Sequence, residues 1–358
     1  MRSKGLSLTS VFVATVVVAT VLVAGCSQQP PAPAQTAPTS AEKGVAAAPA
    51  SGKAIELTFA TMYPEDQWMS YAPAKWAKEV EKRTGGRVKG NMLWGEALGK
   101  IKDYPDMVKQ GAADFALVGE LYSPGRFPTT DVVTLPSLVP SPAVCSDVMY
   151  ALYYEGLLPE LKDYKLMWFQ CTSPGYLYTS KKKVTKLEDL KGMKLRVDAV
   201  LNKVVEGWGA SPVSLPTADL YMAMDRGVVD GVVTMPQFVN DFKMAEVTKY
   251  AVAEPLGMRA WPIIMNLDRW NSLPPDIQVI LDRMNDEARY WVLEPHRKGI
   301  HDNAELGIEV YDLPAEEKAR WRQSTAGLGD AWVKDVEAKG FPAQKALELA
   351  KWISSGTN

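Results

Sequence analysis

The sequence predicts an α/β fold divided into two lobes, on three observations. Short apolar strands alternate with amphipathic helices from residue 54 onward, and the alternation occurs in two separate blocks. Roughly 300 residues take part, near the size at which one hydrophobic core stops growing and a chain divides. In the first block "AIELTFATMYP" sets Ile55, Leu57 and Phe59 against polar neighbours, the period of a half-buried strand, ended by Pro64. "YAPAKWAKEVEKRTGG" carries Ala74, Trp76, Ala77 and Val80 at helical spacing and stops at Gly85-Gly86. "VKGNMLW" follows as a strand, then a helix closing at Gly111 and a strand from Asp114 to Val118. That order implies a largely parallel sheet, whose binding edge lies beyond the carboxyl ends of its strands. Tyr63 and Glu120 each stand just past such an end.

"SPAVCSDVMYALYYEGLLPEL" reads as a helix, and "KLMWFQCTSPGYLYTS" as a strand that continues across a lobe boundary. The second block runs "MKLRVDAV" (strand), "NKVVEGWGAS" (helix), "PVSLP" (strand), "ADLYMAMDRG" (helix) and "VVDGVVTMP" (strand). A strand at "MRAWPIIMNL" comes next, Pro274-Pro275 opens a long helix, Pro295 kinks or breaks it, and Gly307 to Tyr311 is a strand. Two amphipathic stretches close the chain and are expected to pack across both lobes. Residues 54–173 with 260–300 then form lobe I, and 174–259 with 301–358 form lobe II. The hinge falls near Cys171 to Tyr178 and Met258 to Pro262.

Ahead of this body, Arg2 and Lys4 precede an apolar run from Val11 to Val23, the layout of an export signal over residues 1–25. The run falls short of the roughly 20 apolar residues of a membrane span. Leu-x-Ala-Gly-Cys resembles the lipobox of bacterial lipoproteins, which makes Cys26 a diacylated new N-terminus; the alternative is an uncleaved signal anchor with an incidental cysteine. Residues 26–53 are Pro, Ala, Ser, Thr and Gln, too polar to offset the entropy of ordering, and read as a disordered tether. Two acyl chains hold a protein on a bilayer stably, so the body is expected outside the cytoplasm, at the periplasm or cell surface.

A formal net charge of -2 argues against nucleic acid as a partner. The only histidines, His296 and His301, lie five apart and face different sides of one helix, so no metal site is expected; they read as surface or helix-end residues. There is no phosphate-cradling G-x-x-x-x-G-K-[ST] and no G-x-S-x-G elbow, which leaves an enzyme poorly supplied, and no cofactor is expected. Cys145 and Cys171 could bridge in an oxidising compartment, though two buried free thiols are the reading favoured.

The run from Val184 to Pro236, with "KLRV", "GASPV" and "ADLYMAMDRGVVDG" in order, resembles the substrate-binding proteins of tripartite ATP-independent periplasmic (TRAP) transporters, the DctP type. "VKQGAADFAL" and "MNLDRWNSLPPDIQVIL" resemble further segments of that family, so the likeness runs from about Ile55 onward. It implies a periplasmic-binding-protein-like fold, with a long helix crossing both lobes and a cleft closing on a small organic carboxylate. It also implies a permease of small and large membrane subunits that receives the ligand. In that family the arginine of the KLRV-like strand pairs with the ligand carboxylate, and here it is Arg196, whose planar fork matches a carboxylate's two oxygens. Glu120 aligns with a position that meets polar ligand groups. Departures bear on the ligand: "SPGYLYTSKK" lacks a second arginine, Thr217 replaces a usual aromatic, and Thr234 replaces a usual asparagine. One anchor favours a mono- or keto-acid over a dicarboxylate. Trp261 is expected to wall the cleft, and Trp208 to be core. A ligand sensor for a signalling partner and an extracytoplasmic lipoprotein enzyme are the alternative functions.

Overall fold

The computed structural model describes residues 53–356 apart from 198 and 298. The export signal, Cys26 and nearly all of the tether therefore lie outside the described residues. Eleven strands can be traced among the described residues. The first four are β1 (Ile55–Ala60), β2 (Val88–Leu93), β3 (Phe115–Leu117) and β4 (Tyr164–Cys171). The second block supplies β5 (Tyr176–Thr179), β6 (Lys194–Arg196), β7 (Ser211–Val213), β8 (Gly231–Thr234) and β9 (Tyr250–Val252). Then come β10 (Ala260–Asn266) and β11 (Glu309–Tyr311).

They make two sheets, ordered β2-β1-β3-β10-β4 and β11-β9-β5-β8-β6-β7. The two-lobed α/β expectation is met. In the first sheet β1 runs parallel to β2 and β3, while β10 is antiparallel to both β3 and β4. In the second, β6 is parallel to β7 and β8, and β5 is antiparallel to β8 and β9. β3 and β8, inside their sheets, are buried throughout, whereas β2, β6 and β7 leave residues exposed. Along β5 and β8 the neighbours Leu177 and Val233 join one core, and Tyr178 and Val232 the other.

The first lobe's core gathers the helix Tyr71–Arg83 through Trp76, whose ring lies 4.9 Å from Phe115 and 6.4 Å from Trp168. The helix Pro142–Tyr154 is capped by Ser141, whose hydroxyl accepts from the Val144 N–H. It buries Cys145 beside β4, and Cys145 and Cys171 are both free thiols in the interior. The long helix is Pro275–Trp291; it packs on lobe I and ends ahead of Pro295, which lies within the first of two short turns, Glu294–Arg297 and Ile300–Leu306, that lead to β11 in lobe II.

The C-terminal region divides. Helix Ala315–Thr325 stays on lobe II through Trp321, whereas Leu328–Glu337 and Ala343–Ser355 return to lobe I, where Trp332, Val336 and Leu347 join its core. The expectation that residues 301–358 belong wholly to lobe II is corrected for residues 328–355. Amphipathic spacing reveals that a helix has an apolar face but not which core receives it. Among the described residues no helix is long and apolar enough to cross a membrane.

Candidate functional site

Strand direction decides what meets at the cleft. β1 and β3 deliver their carboxyl ends to one edge of lobe I, and antiparallel β10 begins at that same edge, so the residues just before and inside its start face the loops after β1 and β3. Those residues are Arg259 and Trp261. Trp261 pairs across from Gln170 and is nearly buried, with its ring against Gly119; a Cβ there would come within 2.3 Å of Trp261 Cδ1. Gly119 therefore makes room for the indole. Tyr63, past β1, and Tyr122, in the turn after β3, stand 6.1 and 5.9 Å from the Trp261 ring.

The two phenols act on each other's ionisation. Burial holds the Tyr63 hydroxyl well above the usual tyrosine range, with Tyr122 adding to it. Burial likewise raises Tyr122, while Tyr63 and the charges of Arg259 and Arg196 pull it partly back. Both stay neutral and keep an O–H.

Lobe II contributes Arg196, half-buried at the carboxyl end of β6, opposite Val232 of β8. Burial lowers its pKa and Tyr122 opposes this, so the guanidinium of one lobe senses the phenol of the other. Thr234 ends β8 in the interior, and Thr217 opens the turn Thr217–Asp219 past β7, beyond the same edge. Glu120 is turned back on its own loop, where its carboxylate accepts the backbone N–H of Gly125 and, at 2.8 Å, that of Phe127, which closes the loop after β3.

Sequence reasoning did not single out Arg259 or Tyr122 as candidates. Arg259 sits half-buried where the chain returns from lobe II; its N–H donates to Thr172 Oγ1 at 3.0 Å and its carbonyl accepts from the Thr172 N–H at 2.9 Å. Its Nη1 reaches Met235 Sδ, 3.7 Å away, one residue past Thr234. Burial lowers its pKa first and Arg196 second, while Tyr122, Tyr63 and Asp131 work against both; it remains protonated. The signal for it was present in "MRAWP", but only once β10 is known to run antiparallel does the start of that strand fall on the binding edge.

Two crossing segments, 172–175 and 253–259, lie side by side beneath this group: Gly175 N–H donates to the Gly257 carbonyl at 2.8 Å and Leu256 N–H to the Gly175 carbonyl at 2.9 Å. His296 braces them from the third crossing, its Nδ1 2.8 Å from Ser173 Oγ and its ring edge-on to Trp68. It is half-buried rather than a surface residue, and burial pushes its pKa down to about 4. Trp208 is core, donating to Ser324 Oγ at 2.9 Å and packing 4.9 Å from Trp321. Among the described residues no group of three or more His, Cys, Asp or Glu side chains is arranged to hold a metal ion.

The family model for bacterial extracellular solute-binding protein, family 7 (DctP), matches residues 59–335. A solute-binding protein of Albidiferax ferrireducens is 28% identical over 77% of this chain and 83% of its own length. The C4-dicarboxylate-binding periplasmic protein DctP of Rhodobacter capsulatus is 25% identical over 83% of this chain and 92% of its own. Among solved structures, a TRAP periplasmic solute-binding protein from Desulfovibrio salexigens superposes with a TM-score of 0.75 at 28% identity, covering 84% of this chain and 96% of that one. One from Bordetella bronchiseptica, with bound (R)- and (S)-mandelate, gives 0.73 at 26% identity, covering 85% and 100%. With two α/β lobes, a cleft edge lined from both of them and a family match over most of its length, the chain belongs to family 7 of the bacterial extracellular solute-binding proteins, the DctP family of extracytoplasmic TRAP transport receptors rather than enzymes.

Proposed function

We propose that this receptor captures a small organic monocarboxylate, a keto or hydroxy acid in preference to a C4-dicarboxylate, by closing its lobes, and delivers it to a permease of small and large membrane subunits. Lipid on Cys26 would hold it at the membrane where that permease lies. The observation that carries the reading is Arg196: a guanidinium at the carboxyl end of β6 whose ionisation registers Tyr122, a member of the Tyr63–Trp261–Tyr122 group of the other lobe. A planar fork matches a carboxylate, and the aromatic group offers a flat apolar wall to the rest of the ligand. The relatives' names span a C4-dicarboxylate and mandelate, and that wall favours an acid with a ring or apolar body. Thr234 and Thr217 would add hydroxyl contacts from lobe II.

Calorimetry with mandelate, benzoate, pyruvate and succinate tests this. Arg196→Ala, shown folded by circular dichroism, should lose roughly two orders of magnitude or more in affinity for whichever acids bind, since charge-assisted hydrogen bonds and the carboxylate's burial both depend on it. Arg196→Lys should recover only part, because it keeps the charge without the fork. A folded alanine variant that binds within about threefold of wild type, under 1.4 kcal/mol, would place the anchor elsewhere.

A further inference from the structure

We propose that a cavity beside the chain's last passage between the lobes, at residues 326–327, is a second binding site, separate from the cleft, for a short aliphatic carboxylate. Helix Ala315–Thr325 packs on lobe II and helix Leu328–Glu337 on lobe I, so two residues make the whole of that passage. The cavity beside it measures about 440 Å³, within the range of small-molecule sites. Lobe II lines it with the end of Ala315–Thr325. Lobe I lines it with the loop 135–138, the start of Leu328–Glu337 and one side of Ala343–Ser355. The cleft side chains Arg196, Tyr63, Tyr122 and Trp261 take no part in it.

Its chemistry is cationic over an apolar floor. Leu135 and Leu347 are buried members of that floor, together with Leu328, which packs against cores of both lobes. Arg322 is held by one edge: its Nε donates to Glu254 Oε1 at 2.9 Å, and Glu254 is only 3% exposed in the crossing segment 253–259. That bond orients a guanidinium that is itself 60% exposed, and its two Nη groups donate to no acceptor among the described residues. The second cation is Lys351, exposed on Ala343–Ser355. Neither Lys351 nor Asp330, the one acid of the lining, forms an ion pair among the described residues. Two cations against one acid leave the cavity a net positive charge, which a monoanion neutralises. A carboxylate meets the free edge of Arg322 in its planar geometry while a short alkyl chain covers the leucines. Inorganic phosphate would leave that floor wet, and an alkylammonium would meet charge of its own sign.

Hexanoate is the probe, and the full chain carrying Arg196→Ala is the background, because a cleft that takes monocarboxylates could also take hexanoate. Calorimetry should find one hexanoate site there, with a dissociation constant of about 1 mM or tighter. Lys351→Glu added to that background should weaken it at least tenfold, as should Arg322→Gln; circular dichroism checks folding. Arg322→Gln strips the buried Glu254 of its partner, so Lys351→Glu, at an exposed position, carries the test if the glutamine variant fails to fold. Phosphate and hexylamine should each bind at least tenfold more weakly than hexanoate. Hexanoate should also slow acetylation of Lys351 by an activated ester, read by mass spectrometry, and leave that of Lys345, exposed on the same helix, unchanged. Hexanoate binding that vanishes with Arg196→Ala belongs to the cleft and overturns the proposal. Binding that persists unchanged in folded Lys351→Glu overturns it too, as does phosphate binding as tightly as hexanoate. A site indifferent to residue 196 and lost with Lys351→Glu upholds it, whichever acid the cleft takes.

Discussion

Asp131 shows how single residues in this fold trade stability for placement near the cleft. Burial pushes its carboxyl up to about 7, the negative charges of Glu120 and Glu160 add to that, and Arg259 counteracts it. Glu160 is also pushed up to about 7 by burial, even though it accepts the N–H groups of Thr129 and Thr130 at 2.9 and 3.1 Å. A raised carboxyl binds its proton in the folded state at pH values where the unfolded chain has lost it. The stability it contributes is fully present only below about pH 4, the unfolded carboxyl range, and is lost as pH rises from there through 7. Asp131→Asn keeps the neutral form at every pH. We expect the variant's advantage over wild type to grow by at least about 1 kcal/mol between pH 5 and pH 8, or roughly 2–4 °C. Thermal unfolding at the two values decides it, and an equal shift at both would refute it. His296 acts in the opposite sense: its pKa is lowered to about 4, so its contribution is lost as pH falls from about 6.5 through 4.

Among the elements, the crossing segments carry the tightest backbone contact. Gly257 has φ +107°, and a Cβ there would stand 2.1 Å from the Thr134 carbonyl oxygen, a backbone atom that cannot swing aside. Gly307 has φ +83° with open space around it. Gly307→Ala should therefore cost about 1 kcal/mol from backbone conformation alone, and Gly257→Ala well over about 2 kcal/mol. Chemical denaturation of both variants makes the comparison; similar costs would mean that the Thr134 contact yields easily. Most elements were legible in the sequence, because strand alternation, helical spacing and Pro or Gly stops coincide in stretches such as Ile55–Ala60, Tyr71–Arg83 and Pro275–Trp291. The three-residue β9 and the five- and six-residue helices Leu267–Asn271 and Pro236–Asp241 were not, since so few residues hold no full period. For the site, Tyr63, Trp261, Thr234 and Arg196 were legible as residues at or near strand ends. Arg259 was hidden because strand direction has no signature in the residues themselves, and Glu120 turned inward because backbone N–H groups in its own loop were nearer partners.

On the scale of the whole molecule, the cleft is built from two halves that must meet. Arg196 comes from one lobe and the aromatic group from the other, and a further bond spans them where the Trp68 N–H donates to Asp241 Oδ2 at 3.2 Å. Ligand held on both sides favours the closed arrangement and raises the melting temperature, by about 2.7 kcal/mol of stability at 100 times the dissociation constant. Small-angle scattering on saturation with a calorimetrically confirmed acid should show a smaller radius of gyration, with a change in Trp261 emission. An unchanged radius would argue against hinge closure.

The chain enters lobe I, leaves it after β4 and returns with β10, which inserts between β3 and β4 at the heart of the first sheet. Lobe II up to β9 is thus an insertion within lobe I. As the chain emerges from its N-terminal end, β3 and β4 have no shared neighbour until residue 266 is available, and the last two helices of that core arrive later still. The lobe that begins first finishes last. Its open strand edges wait through the synthesis of a whole second lobe, and contacts of such long sequence separation are the slow step in folding. The centre of lobe I is therefore where a growing chain is most exposed to mispairing, and where a chaperone of exported chains would gain most by binding.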